Sequence, residues 1–241
     1  MRLLIIRHGD PDYANDTVTE KGRREIALLA EELGRQKIDY LYTSPLGRAR
    51  VTCNATAEAV GKTPVVMPWL EEFSHPIDLP TGEKNHLIWD LLPEYWTEIP
   101  EMYDAGKWLD LPEMKAGGIR GYYENVTGGL DDLLAKHGYV RKGKIYEAVN
   151  ANRDTVALFC HFGVETVLLS HLFNVPPMIF SHHFVALPSS VTTLYTEERR
   201  KGKAVFRCTC FGGTEHLYAG GEEPSASARF CEIYDSDERH D

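Results

Sequence analysis

Three adjacent residues near the start of the 241-residue chain could do chemistry together: Arg7, His8 and Gly9. They follow Leu3-Leu4-Ile5-Ile6, an aliphatic run too short for a helix and suited to a strand buried on both faces. Open α/β sheets place ligands at the carboxyl ends of their parallel strands. An arginine there can grip a phosphate through two parallel N–H bonds, an imidazole can attack or shuttle a proton, and a glycine lets a ligand approach closely. The pattern returns far along the chain. Asp154 to Cys160 reads as a second buried parallel strand, His161-Phe162-Gly163 follows it directly, and an apolar helix begins at Thr166. At the N-terminus of such a helix His161 would stand among unpaired N–H groups and could donate to a phosphoryl oxygen.

A second cation is offered by the segment after the strand Tyr40-Leu41-Tyr42, which reads Thr43-Ser44-Pro45-Leu46-Gly47-Arg48-Ala49-Arg50-Val51-Thr52. Pro45 suits the first turn of a helix, so Arg48 is expected about one turn in, near the end whose dipole favours an anion. Arg50, two positions on, is expected to face solvent.

These motifs resemble the histidine phosphatase superfamily, also called the phosphoglycerate mutase-like proteins. The resemblance rests on Arg-His-Gly after an N-terminal strand and on Val18-Thr19-Glu20-Lys21-Gly22 as a Leu-Thr-Glu-x-Gly-like helix start. It rests further on Ser44 to Thr52 as Ser-x-x-x-Arg-Ala-x-x-Thr, and on the strand that ends in His-x-Gly at His161. It implies one α/β domain over 1–241, a three-layer α/β/α sandwich with a mostly parallel sheet and a helical cap inserted at about 74–152. It also implies roles: His8 as the residue that takes phosphorus, Arg7, Arg48 and His161 as its phosphate ligands, and Glu72, in Leu70-Glu71-Glu72, as the general acid. Beyond Phe73 the family pattern lapses, which leaves Glu71 and Glu83 as alternative acids.

The implied reaction is hydrolysis of a phosphate monoester through a phosphohistidine on His8, with no metal and no other cofactor. Arg7 and Arg48 supply the fixed positive charge that a phosphate dianion needs. Two other readings stand beside it: a mutase that returns the phosphoryl group to an organic hydroxyl, and a phospholigand-binding protein without turnover. The missing mutase stretch after Glu72 weighs against the first, and the intact His8, His161 and acid against the second. The expected partner is a small phosphorylated molecule, whether sugar phosphate, nucleotide, phosphorylated acid or phosphopeptide.

Composition sets outer bounds. Lys and Arg number 26 against 36 Asp and Glu, a formal charge of −10 with no basic run. Nucleic acid and anionic membranes reward positive surfaces, so neither is expected as a partner. The five scattered cysteines read as reduced thiols, and no leader or membrane-length apolar run is evident, so a cytoplasmic protein is expected. Oligomeric state is left open.

The elements that must position these residues are read from periodicity. Thr19 caps a helix whose stripe Ile26, Leu29, Ala30 and Leu33 faces a sheet and which ends near Gly34. The insertion reads as mostly helical, with pieces at 83–95, 102–108 and 119–137, and with rings that pack its own small core while some face the cleft. Ser189–Tyr195 and Ala204–Cys210 read as a hairpin at the sheet edge. Phe211 to Leu217 loosely resembles a Gly-Asp-x-x-His-Leu ending, and His182-His183 are assigned to the pocket rim or to packing. The tail from about Gly220 is expected to be poorly ordered in part.

Overall fold

The computed structural model describes residues 1–227 and 229–239. In chain order, β1 (Arg2–Arg7), β2 (Pro11–Asp12) and β3 (Thr17–Val18) lead into α1 (Glu20–Gly34), β4 (Tyr40–Thr43), α2 (Gly47–Val60) and β5 (Val65–Val66). Then come β6 (Pro76–Ile77), β7 (His86–Leu87), α3 (Pro93–Trp96), α4 (Pro112–Ala116), α5 (Ile119–Lys136), β8 (Tyr139–Lys142) and β9 (Ile145–Ala148). The chain closes with β10 (Thr155–Cys160), α6 (Phe162–Phe173), α7 (Pro177–His183), β11 (Val191–Arg200), β12 (Lys203–Gly213) and α8 (Glu215–Gly220).

Eight strands form one sheet in the order β5-β4-β10-β1-β11-β12-β9-β8. The sheet is mixed rather than mostly parallel: β5, β4, β10 and β1 run parallel, and every pairing from β1 onward is antiparallel. The reason is the connections. Helices α1 and α2 lie on the connections from β1 to β4 and from β4 to β5 and allow crossovers, whereas Lys201-Gly202 joins β11 to β12 in a tight turn that forces antiparallel pairing. The expected edge hairpin lies inside the sheet, because β9 and β8, from within 74–152, pair beyond β12.

Strand alternation divides the core between the two faces. Leu3 and Ile5 of β1, with Val156 and Leu158 of β10, pack against α5 and α6 through Leu130, Leu133, Val164 and Leu168. Leu4 and Ile6, with Ala157 and Phe159, pack against Leu29 and Leu33 of α1 and Cys53 and Ala57 of α2. Each fully buried aliphatic side chain stabilises the fold by about 1.5–3 kcal/mol, so the parallel centre, buried on both faces, is the firmest part of the molecule.

Helix α1 forms as its spacing requires: the Gly22 N–H donates to the Thr19 hydroxyl, and Ile26, Leu29, Ala30 and Leu33 are all buried. Helix α2 starts at Gly47 rather than at Pro45, which brings Arg48 to its second residue. Between Ser74 and Gly118 the chain is mostly single turns and two-residue strands, since Pro93, Pro100 and Pro112 each open a turn that does not propagate. Only α5 matches the length expected of the 119–137 piece. Trp96 and Trp108 are buried, but in a cluster continuous with the main core rather than a separate one. The tail is seated rather than loose through Ser227: Glu222 pairs with Lys21 and Arg24, and Ser225 is buried against α1. Ala228, His240 and Asp241, part of that tail, lie outside the described residues.

Candidate active site

The register of the sheet assembles the site. Arg7 of β1 pairs with Cys160 of β10 in parallel, so His8 and His161, the next residue on each strand, come level at the same sheet end. Their ring centroids lie 5.1 Å apart. Next to β10, β4 pairs Thr43 with Phe159 and so delivers Ser44 and then α2 to the same end.

The two rings are held differently. His8 Nδ1–H donates to the Gly9 carbonyl at 2.8 Å. A carbonyl only accepts, so the proton sits on Nδ1 and Nε2 keeps its lone pair. The His8 peptide is fixed too, with its N–H on the Cys160 carbonyl and its carbonyl on the Ser189 N–H. His161 Nε2 is 2.8 Å from the Ser44 hydroxyl, while its Nδ1 is buried without a partner. Burial, then Arg7 and Arg48, hold His8 well below the ordinary imidazole pKa; burial, then His8 and the same arginines, do so for His161. Both rings are therefore neutral at pH 7.

Arg7 is 4% exposed and donates from Nη1 to the Ala186 carbonyl at 2.7 Å. Arg48 donates from Nη1 to Asp16 Oδ1 at 2.8 Å, and Asp16 Oδ2 accepts from the Gly47 N–H at 2.6 Å. A carboxylate of the chain thus sits at the N-terminus of α2, where an anion is favoured. The Nε atoms of Arg7 and Arg48 are buried without partners, like His161 Nδ1. Two unpaired guanidinium N–H groups and an open imidazole nitrogen are what a ligand with several oxygens would satisfy, since buried polar groups are otherwise almost always bonded.

Glu72 reaches the same place from the loop after β5. Its Oε1 accepts from the Phe73 N–H at 2.8 Å and from the Val164 N–H of α6 at 3.1 Å. Burial raises its pKa, and the Phe73 N–H and Arg7 offset part of that rise. A Cβ on Gly163 would lie 2.7 Å from Glu72 Oε1 and 2.6 Å from the Trp89 ring, so the glycine of His161-x-Gly163 is there to admit the carboxylate. Gly9 is likewise crowded, by Ile26 at 2.7 Å, and its N–H donates to the Thr52 hydroxyl at 3.1 Å.

The structure brings together Arg7, His8, Arg48, Glu72 and His161, all five residues read from the sequence. Glu71 and Glu83 are both exposed, and Glu83 instead accepts from the Thr81 hydroxyl. Arg50 faces solvent as expected. His216, of the loosely matched ending, lies 3.3 Å from the Ser189 hydroxyl and so stands behind the His8 loop. His182 is a packing residue whose Nε2 accepts the Leu91 N–H. Among the described residues no group of three or more His, Cys, Asp and Glu side chains could hold a metal, and no helix is long and apolar enough to cross a membrane. Sequence reasoning did not find Asp16, Glu25 or Glu165. Asp16 carried no signal beyond its place in a turn-rich loop, and the two glutamates read as ordinary helix residues.

A sheet end bearing two neutral histidines, two arginines and a carboxyl defines a phosphoryl-handling class. Residues 3–99 match the family model of the histidine phosphatase superfamily (branch 1). The chain is 25% identical over 234 residues to phosphoserine phosphatase 1 of Hydrogenobacter thermophilus, covering 91% of this chain and 98% of that one. A Yersinia pestis protein named "Probable phosphoglycerate mutase" is 26% identical over 153 residues, 57% of this chain and 70% of that one. The fold is shared with a mutant phosphoserine phosphatase of Entamoeba histolytica in complex with phosphoserine (TM-score 0.61, 18% identity, covering 90% of this chain and 98% of that one). It is also shared with mycobacterial glucosyl-3-phosphoglycerate phosphatase (TM-score 0.58, 19% identity, 88% and 98%).

Proposed function

We propose that the protein hydrolyses a small phosphate monoester through a phosphohistidine on His8. The observation that carries this is the set of unpaired buried nitrogens, Arg7 Nε, Arg48 Nε and His161 Nδ1, around a ring whose Nε2 lone pair is free. The arginines bind the phosphoryl oxygens, and Ser44 donates to His161 Nε2 so that the Nδ1–H faces the transferring group. His8 Nε2 attacks phosphorus in line, the P–O ester bond breaks, and Glu72 delivers its proton to the departing oxygen. Water then gives a proton to Glu72 and attacks phosphorus, the P–N bond breaks, and inorganic phosphate leaves with Glu72 protonated again. The arginines are the cations in this scheme, which therefore runs without a metal.

Residues 74–152 serve as the cap of this single domain: Trp89 lies beside Glu72 over Gly163 and donates its indole N–H to the Phe73 carbonyl, while β8 and β9 anchor the far end of the segment in the sheet. Phosphoserine and 3-phosphoglycerate are the first substrates to assay, given the relatives' names. Release of inorganic phosphate from either, with acid-labile label trapped on His8, supports the reading. Isomer formation without phosphate release would move it to the mutase alternative that the Yersinia relative suggests. Binding without label on His8 would leave only a phospholigand-binding role.

A further inference from the structure

Behind His8 lies a carboxyl that the scheme above does not use. Glu25, on α1, has no exposed surface, yet both of its oxygens are occupied. Its Oε2 accepts from the Asp10 N–H at 2.8 Å and its Oε1 from the Ser225 N–H at 3.2 Å. The Asp10 N–H belongs to the same peptide group as the Gly9 carbonyl, and that carbonyl accepts from His8 Nδ1–H at 2.8 Å. One planar amide therefore joins the buried carboxyl to the ring that should attack phosphorus. A hydrogen bond at one end of a peptide polarises the other end, and a charged partner does so more strongly than a neutral one.

We propose that Glu25 is a positioning residue for His8, acting through the Gly9–Asp10 peptide, and that the Ser225 N–H of the C-terminal segment completes its hydrogen-bond shell. An ionised Glu25 draws on the Asp10 N–H, makes the Gly9 carbonyl a stronger acceptor, fixes the Nδ1–H tautomer and leaves Nε2 richer in electron density. The arrangement resembles a carboxylate orienting an imidazole directly, with a peptide inserted between them.

The surroundings keep this relay in register. The Asp10 carbonyl accepts the Thr19 N–H at 2.9 Å, and a Cβ on Gly22 would lie 2.5 Å from that carbonyl oxygen. The Asp10 carboxylate accepts from the hydroxyls of Thr19 (2.6 Å), Ser227 (2.6 Å) and Ser225. The charged groups around Glu25 are Asp10 on the loop, Lys21 and Arg24 on α1, and Glu222 on the tail, which Lys21 and Arg24 neutralise. Burial, opposed by the Asp10 N–H, pushes Glu25 up to about 7, so its charge changes near neutral pH.

The proposal rests on the phosphohistidine reading for its kinetic arm only. In the full-length protein, ¹⁵N NMR of the His8 ring, assigned with His8→Asn, is followed from pH 5.5 to 8.5 without substrate. The expected result is an Nδ1–H signal that moves with a titration near neutral pH while the ring itself stays neutral, and loss of that component in Glu25→Gln. Glu72 and Glu165, on the other side of the pocket, contribute equally to both proteins. In rapid-quench experiments, phosphoenzyme formation in the wild type should rise through pH 7, and Glu25→Gln should flatten that rise and slow the step about tenfold. Ser225→Pro removes one donor to the carboxylate and should move the rise to higher pH. It also decides the matter if Glu25→Gln does not fold. A Glu25→Gln protein that keeps both the His8 titration and the wild-type rate within twofold overturns the proposal, as does a Ser225→Pro protein with an unmoved limb. If the wild type forms no phosphoenzyme, the functional reading fails while the NMR result still decides the role of Glu25.

Discussion

The two strand ends at the heart of the site are built from the same parts to opposite effect. Each strand stops at a histidine with a glycine within two residues, and each has a buried glutamate close by whose pKa is pushed up to about 7, Glu25 near β1 and Glu165 near β10. At the β1 end the carbonyl of Gly9 takes the Nδ1 proton, and Glu25 is satisfied by two backbone N–H groups. At the β10 end a hydroxyl meets Nε2, Nδ1 stays open, and neither oxygen of Glu165 has a well-formed hydrogen bond. In the proposed scheme equal rings become a lone-pair donor and a proton donor according to which nitrogen a backbone carbonyl or a side-chain hydroxyl occupies. Sequence alone shows two histidines, and the second bond on each ring separates their work.

Variants can break or sharpen this contrast. The largest effect is expected of His8→Ala, which removes the atom that bonds phosphorus: turnover falls by about 10⁴-fold or more and no acid-labile phosphoprotein forms. His161→Ala removes a donor but not the nucleophile, so turnover should drop about 10²- to 10³-fold with labelled enzyme still forming slowly. Equal loss of labelling in both variants would erase the distinction. Glu72→Gln, or Gly163→Ala, which pushes a methyl into Glu72 Oε1, should cost about 10²-fold on alkyl phosphates and far less on p-nitrophenyl phosphate, whose leaving group needs no acid. Equal losses on the two esters would assign the proton to another group.

The smallest effect is on stability. Glu165 is buried, and its pKa rises from 4.5 to about 7 on folding because burial outweighs the help of Thr192 and Arg7. The folded state then holds a proton between those values that the unfolded chain has lost, so this contribution is full below pH 4.5 and disappears as pH rises through 7. Glu165→Gln, which cannot ionise, should therefore gain stability over the wild type between pH 5 and 8, by up to ~3 kcal/mol or several degrees of melting temperature. A melting difference that does not vary with pH would show that Glu165 is already neutral throughout, or ionised throughout.

What was legible in the sequence follows from where the information is local. Leu3 to Ile6 and Val156 to Phe159 are unbroken apolar runs, so both strands and the histidines that end them could be read directly, and the Ser44 to Thr52 pattern singled out Arg48 over Arg50. The sheet's second half could not be read this way. That β12 is internal depends on β9, more than fifty residues earlier, pairing Tyr146 with Ala204. The 83–95 and 102–108 stretches have helix-like apolar spacing, but prolines at first-turn positions restart the chain and leave isolated turns. Glu25 looked like any polar residue flanking an apolar stripe, and the tail looked like a solvated end. Their roles arise from a contact between positions 25 and 225 that no local pattern announces.

The alignment of Arg7 with Cys160 has a further bearing on how such a protein can change. Sliding either strand by one residue would turn every core side chain on it to the wrong face, so the spacing of the two imidazoles is secured by the whole apolar interior. Insertions and deletions can accumulate between positions 74 and 118, where the chain is mostly short turns, without moving the two imidazoles. New specificities can arise at the rim of the molecule while its chemical centre stays as rigid as its core.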